Sequence, residues 1–131
     1  MMWQVFVPCA VKSLNEESGK NWQWRHRLRK QIRKDAWACA IQAINRGELR
    51  RFAHEEPVQI IVQSHERGRC LDPGNAMASA KAAIDGLRDA RVLVDDSGRY
   101  VKAITFLAGV PVADERSEGL TIMFTEWTDG D

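Results

Sequence analysis

Cysteine is scarce in this chain of 131 residues, which has three of them, Cys9, Cys39 and Cys70, far apart in the sequence. The number is odd and no CxxC pair occurs, so neither a disulfide framework nor a thiolate metal site is indicated. Reduced thiols are the simplest reading, and they fit the cytoplasm, where we expect this protein to act.

Long hydrophobic runs are also missing. No apolar stretch approaches the length of a membrane-spanning helix, so we expect no association with a membrane. The first residues, MMWQVFVPCAVKSLN, lack a basic lead before a long apolar core, so we expect no signal peptide. The formal net charge is only +1, so any affinity for nucleic acid has to come from local clusters of charge.

Several signatures of catalysis are absent as well. The three histidines, His26, His54 and His65, form no HxxxH or HExxH pair, so a zinc site is not indicated. The chain has no GxSxG motif, no phosphate-binding loop and no dinucleotide-binding glycine pattern. Enzymes that depend on these motifs are therefore not the first candidates.

The pattern of apolar residues predicts a small α/β (α+β) fold that forms a single domain over residues 1–131. Strands are predicted in MWQVFVPCAV, in Pro57–His65, in RYVKAITFLAGV and in GLTIMFTEW. A long helix is predicted over Trp22–Asn45, where Gly47 would end it, and a second helix begins near Pro73. The order is roughly β-α-β-α-β-β, which gives a mixed four-stranded sheet with two main helices.

The long helix has an apolar stripe, formed by Leu28, Ile32, Ala36, Cys39 and Ala43. Trp37 and Ile41 extend this apolar surface to one side of the stripe. They could lie in the core or at a contact between subunits, and we expect the core.

The segment NWQWRHRLRKQIRK, residues 21–34, has no acidic residue. Its six cationic side chains are Arg25, Arg27, Arg29, Lys30, Arg33 and Lys34. Arg27, Lys30 and Lys34 fall opposite the apolar stripe and form a charged face, with Trp22 and Trp24 beside it. Such a face attracts phosphates, whereas ordinary surface helices mix charges of both signs. A nucleic-acid interface and a solvated amphipathic helix are equal alternatives from this segment alone.

Aspartates recur in the second half of the chain. Asp72 precedes the second helix, Asp85 lies on it, and Asp95 and Asp96 stand near the next strand. Loops and strand ends of this kind can converge, and carboxylates that do so repel one another unless a cation such as Mg²⁺ or Mn²⁺ joins them. The alternative, which composition favours, is a helix cap at Asp72, a turn at the aspartate pair and a solvated Asp85.

Lys81 and Asp85 are four residues apart on the second helix, and Asn75 lies on roughly the same face about two turns earlier. A lysine beside a metal-bound phosphate stabilises the charge that develops in the transition state. The same spacing also gives a plain surface ion pair worth roughly a few tenths of a kcal/mol, and spacing does not decide between the two readings.

Taken together, SLNEESGKNWQWR and the later pattern LDPGN…K…IDGL…VLVDD resemble the RusA family of Holliday junction resolvases, particularly its phage-type members. Members of that family have an SLN-type loop before a basic helix, and an acid-x-acid-Asn entrance to a helix that bears a lysine and an Asp-Gly/Ala-Leu. An Asp-Asp pair follows at a strand. The resemblance covers most of the chain in the same order.

The resemblance implies an endonuclease that acts as a homodimer, cuts four-way DNA junctions and depends on Mg²⁺, with Mn²⁺ as an alternative. By position, Asp72 matches the first acid of the entrance, Lys81 the catalytic lysine and Asp96 the essential acid of the pair. The expected metal ligands are Asp72, Asp96, Asp95 and Asp85. The expected DNA contacts are Lys20, Arg67 and Arg69 from loops, Arg25, Arg27, Lys30, Arg33 and Lys34 from the helix, and Asn75.

One position departs from the family pattern, because Gly74 stands where the second acid of the entrance is expected. Loss of a hard oxygen ligand weakens a Mg²⁺ site. Three alternatives follow: Asp85 or Asp95 compensates, the enzyme is impaired, or the protein only binds junction DNA. A phosphoesterase that acts on small molecules, and has no use for the basic helix, is a further alternative.

Overall fold

The computed structural model describes residues 2–11, 22–53, 56–68, 73–94 and 98–128, apart from the side chain of Asn75. Within them, two α-helices pack on one face of a mixed β-sheet. The predicted α/β (α+β) fold with two main helices is therefore confirmed.

The sheet has five strands, β1 (Trp3–Pro8), β2 (Val58–Arg67), β3 (Val101–Phe106), β4 (Val110–Val112) and β5 (Gly119–Glu126). The order is β1-β5-β2-β3, and β4 pairs with the end of β2 beyond β3. β5 runs antiparallel to β1 and β2, whereas β3 and β4 run parallel to β2. The central strands β2 and β5 therefore carry most of the core.

The apolar pattern predicts one strand in RYVKAITFLAGV, whereas the structure has β3 within this segment and a further strand, β4, that begins at its last residue. The backbone leaves the ladder after Phe106, where Leu107 N donates to Val62 O over 3.0 Å. The Gln63 side chain then donates from Nε2 to the Ala108 carbonyl over 2.6 Å. The chain resumes pairing with β2 at β4, so the sheet has five strands instead of four.

The helices are α1 (Trp22–Asn45) and α2 (Met77–Asp89), and a 3₁₀ turn over Pro73–Ala76 leads into α2. α1 has the predicted bounds. It ends because Gly47 adopts a left-handed conformation with φ of 77°, in which its N–H donates to the Ile44 carbonyl.

The core lies between the helices and one face of the sheet. Alternate residues of β2 and β5 are buried, among them Ile60, Val62, Ile122 and Phe124. Ile32, Ala36 and Ala43 of the predicted apolar stripe are buried in the same cluster, together with Ala40, whereas Leu28 and Cys39 are only partly buried against it.

Trp37 is the exception on α1. The prediction that its side chain lies in the core is wrong, since 46% of the residue is exposed, whereas Ile41 does pack against the core. Trp37 lies at the edge of the surface that α1 buries against α2 and the sheet. Its smaller neighbours Ala36 and Ala40 are buried there, whereas the tryptophan is not.

The two helices pack closely against each other at Gly86 of α2. A Cβ atom there would lie 2.2 Å from the Arg33 carbonyl oxygen and 2.8 Å from the Ala36 Cβ. Ala82 and Ala83 are also buried on this face. Small residues therefore bring the backbones together, and longer side chains meet along the edges of the contact. Over the part of the chain that is described, neither helix is long and apolar enough to cross a membrane.

Candidate nucleic-acid interface

α1 and α2 enclose a groove along one edge of their contact. A cavity of about 220 Å³ lies between them. It is lined by His26, Arg29, Lys30 and Arg33 of α1 and by Ala78, Lys81, Ala82 and Asp85 of α2. Each set recurs at steps of three and four residues, so each occupies one face of its helix.

The groove continues along α1 into a second cavity of about 580 Å³. Its lining consists of His26, Lys30, Arg33, Lys34, Trp37 and Asp89. Because His26, Lys30 and Arg33 line both cavities, the two form one surface, which we call the helix groove. Five of its side chains are arginine or lysine and two are aspartate, so the groove is basic.

Arg33 is held by Asp89 across the groove. Its Nε and Nη2 donate to the two carboxylate oxygens over 2.6 and 2.8 Å. These hydrogen bonds lower the pKa of the Asp89 carboxyl and raise the pKa of Arg33. The pair neutralises one of the expected DNA-binding cations, so Arg33 acts first as a link between the helices.

Lys81, the expected catalytic lysine, is 67% exposed and faces Arg29 and Lys30 across the first cavity. Its Nζ lies 3.9 Å from Asp85 Oδ1, and Arg88 Nη2 lies 3.6 Å from the same oxygen. Ion pairs of this kind are worth under about 1 kcal/mol, so a phosphate can replace the carboxylate as the partner of Lys81.

The remaining described cations are spread more widely. Arg27 is exposed but lines neither cavity, and Arg25 is half-buried. Arg67, at the end of β2, lies 3.7 Å from Glu118, measured from Nε to Oε1. These three stay predictions as DNA contacts, whereas Lys30 and Lys34 line the helix groove.

The expected metal ligands fall mostly outside the described residues. Lys20, Arg69, Asp72, Asp95 and Asp96 lie there, and so does the Asn75 side chain. Within the described ranges, no group of three or more histidine, cysteine, aspartate or glutamate side chains could hold a metal ion. Asp85 Oδ1 lies 3.9 Å from Lys81 Nζ and 3.6 Å from Arg88 Nη2, and its role as a metal ligand stays a prediction.

In the sequence, the two acidic segments stand on either side of α2. Near its first turn, Ser79 Oγ donates to the Val11 carbonyl over 2.9 Å. Just after its last turn, the Val92 carbonyl accepts a 2.9 Å hydrogen bond from Phe52 N. The entrance motif precedes the first of these points and the aspartate pair follows the second. Thirteen helical residues, about 20 Å at 1.5 Å per residue, separate the ends.

Neither of the two described cysteines, Cys9 and Cys39, lines the helix groove. Burial, together with the nearby carboxylates of Glu118 and Asp35, raises the pKa of the Cys9 thiol to about 12. The pKa of Cys39 is also raised, mainly by burial. Both thiols are therefore protonated at neutral pH and are poor nucleophiles.

Asp89 and Trp37 line the helix groove although the sequence pattern does not assign them to it. Asp89 follows Asp85 by four residues, and Trp37 follows Lys30 by seven. Helical spacing therefore carries both signals, but only the contact between the helices shows which side of α1 forms the groove.

A comparison with models of known protein families finds no match for this chain. A comparison with curated proteins finds none either.

Proposed function

We propose that this protein is a RusA-like endonuclease of the cytoplasm, which acts as a homodimer and hydrolyses phosphodiester bonds of four-way DNA junctions. One observation supports it above the rest. Lys81, which the family pattern marks as catalytic, shares a cavity with Arg29 and Lys30 of the basic helix. A basic groove with an exposed lysine suits a DNA backbone. DNA recombination and repair produce such junctions.

Within the proposal, the side chains of the groove have separate tasks. Lys30 and Lys34 bind backbone phosphates and hold one arm of the DNA along α1. Arg33, which Asp89 binds, holds α1 and α2 in a fixed position relative to each other. The Lys81 ammonium donates to a non-bridging oxygen of the scissile phosphate and stabilises the negative charge that grows there during hydrolysis.

Among the described residues no group of three or more acidic, histidine or cysteine side chains could hold a metal ion, so the proposed metal dependence rests on Asp72, Asp95 and Asp96, with Asp85 as a further ligand. Magnesium prefers oxygen ligands and binds through one or two carboxylates with several waters. A bound ion would activate water and neutralise charge on the phosphate. We derive no geometry for it.

The test is cleavage of a labelled synthetic four-way junction by the purified dimer, with Mg²⁺, with Mn²⁺ or with EDTA. We expect paired nicks that need the ion, that Asp96→Asn abolishes and that Lys81→Gln slows at least 100-fold. Lys102→Gln removes an exposed lysine from β3 and serves as the matched control. Absence of nicks from the wild-type protein, or full activity of Asp96→Asn, contradicts the proposal.

A second candidate is a protein that binds junctions without cutting them. It is favoured by Gly74, which stands exposed at the entrance of α2 where the family has an acid. This candidate predicts tight, salt-sensitive binding to the four-way junction and no nicks. Cleavage that appears only in Gly74→Asp would establish it, and cleavage by the wild-type protein would remove it.

A further inference from the structure

Trp37 marks an aromatic surface at the end of the helix groove. Its ring lines the second cavity, although nearly half of the residue is open to solvent. A volume of about 580 Å³ lies within the range of small-ligand sites, so the cavity can receive a planar ring the size of a nucleobase.

Positive charge surrounds this aromatic surface. Lys30 and Lys34 precede Trp37 by seven and three residues, which places both within about 60° of it around the helix at 3.6 residues per turn. Among the described residues, neither lysine has an ion-pair partner. The Arg33 guanidinium is occupied by Asp89, so the two lysines supply the charge that a ligand would meet.

We propose that the second cavity binds one unpaired nucleotide of a DNA strand, with the base stacked on Trp37 and its phosphates held by Lys30 and Lys34. An aromatic face beside a basic track is the arrangement that binds single strands. A base within a duplex hides both faces in the stack and cannot use this surface. The inference rests on the proposed function in one respect, namely that DNA lies along α1.

The cavity would then contribute to selection of branched DNA. At a branch point, bases can leave the stack at little cost, whereas in an uninterrupted duplex unstacking costs a few kcal/mol per base. A site that binds an unpaired base therefore has higher affinity for branched and single-stranded DNA than for a duplex of equal charge. Charge alone gives no such preference.

The probe is a thymidine oligonucleotide with one central 2-aminopurine, whose fluorescence falls when the base stacks. The full chain is titrated with it as the wild type, as Trp37→Phe and as Trp37→Leu. We expect quenching with the wild type, retained binding with Trp37→Phe, and affinity about 10-fold weaker with Trp37→Leu, together with loss of quenching. A duplex of the same length should bind the three proteins equally.

Trp24→Leu is the matched control. Trp24 is 39% exposed on the same helix, but it lies about 140° around the helix from Trp37 and lines neither of the two cavities. Its replacement should leave affinity and quenching unchanged. An equal loss in both variants would overturn the proposal, because it would show a nonspecific aromatic effect.

Labelling with 5-fluorotryptophan adds a measurement that does not depend on how Trp37→Leu folds. The five tryptophans give five fluorine resonances, of which the Trp37→Phe spectrum assigns one. The oligonucleotide should shift that resonance in the otherwise unchanged chain. No shift, or a change in oligomeric state on replacing Trp37, would overturn the inference and identify the surface as a contact with another copy.

The two proposals fail separately. Junction cleavage without a Trp37 signal refutes the nucleotide site alone. Stacking on Trp37 without any cleavage refutes the nuclease alone. Absence of all DNA binding refutes both.

Discussion

A methyl group added to Gly86 of α2 would come within 2.2 Å of the Arg33 carbonyl oxygen of α1. The contact is made with backbone, which cannot rotate away as a side chain can. Gly86 therefore sets the distance between the helices, and with it the width of the helix groove and the reach of Arg33 to Asp89.

Gly86→Ala should destabilise the protein by about 1–3 kcal/mol, as overpacked cores do. In a helix without this contact, a change from glycine to alanine would raise the free energy of unfolding by about 1 kcal/mol. The direction in which the stability changes therefore shows whether the contact exists. The measurement is the urea concentration at half-unfolding. Gly98→Ala is the control, since a Cβ there meets nothing within 4 Å. A Gly86→Ala protein as stable as the wild type would contradict the close packing.

Arg33 and Lys30 should differ in how their loss affects DNA binding. Lys30→Gln removes a cation that can replace counterions on one phosphate, so the slope of log K against log salt should fall by about 0.9. Arg33→Gln should lower it less, because Asp89 already neutralises the guanidinium. Fluorescence anisotropy with a labelled four-way junction at several salt concentrations measures both slopes. Equal slopes for the two variants would contradict the view that Lys30 contacts a phosphate whereas Arg33 is neutralised by Asp89.

The Arg50–Glu56 ion pair should make stability depend on acid. Hydrogen bonds from Arg50 and from Ala53 N lower the Glu56 pKa to about 2, and the Arg50 guanidinium also lies 4.3 Å from the Phe52 ring centroid. Because the unfolded glutamate has a pKa of about 4.3, protons bind the unfolded chain more readily. The contribution of the pair is therefore complete above about pH 4.3 and falls as the pH drops towards 2.

When the pH is lowered from about 6 to about 2.5, a range that spans the two pKa values, the free energy of unfolding should therefore fall less for Glu56→Gln than for the wild type. Urea unfolding at both pH values measures this. Glu115→Gln, which changes an exposed carboxylate, should follow the wild type. If the free energy of unfolding falls equally with pH for Glu56→Gln and for the wild type, the ion pair does not make stability depend on proton binding.

On the proposed function, the acids around one metal ion should come from both protomers of the proposed dimer. Ligand oxygens lie about 2.1 Å from Mg²⁺, whereas α2, which is about 20 Å long, stands between the two acidic segments in the sequence. Asp72→Asn and Asp96→Asn should each be inactive. An equal mixture should regain nicking of a labelled junction, because one of the two sites in a mixed dimer keeps both acids.

Two controls make the mixing experiment decisive. Asp72→Asn mixed with the double variant Asp72→Asn/Asp96→Asn should stay inactive, because no site then keeps both acids. Native mass spectrometry establishes that mixed dimers form. Inactive mixed dimers of the two single variants would show that each ion is held within one chain.

The helices and strands follow from local patterns, which explains how much of the fold the sequence predicts. α1 begins at Trp22 and ends at Asn45 as predicted, because a 24-residue helix with a regular apolar stripe leaves little ambiguity. The break between β3 and β4 is not visible in the local pattern, whereas the structure shows the Gln63 side chain of β2, a strand far away in the sequence, bonded to Ala108 between the two strands.

By itself, the sequence determined where the two helices and four of the strands form and that α1 carries a face of one sign of charge, since these features depend on residues within a few turns of one another. Tertiary structure decided which face of α1 meets α2 and what that contact encloses. Arg33 and Asp89 are 56 residues apart, and only close packing at Gly86 joins them. The same packing leaves Trp37 uncovered and sets Lys81 opposite Lys30, because side chains distant in sequence share a cavity only after two backbones have come together.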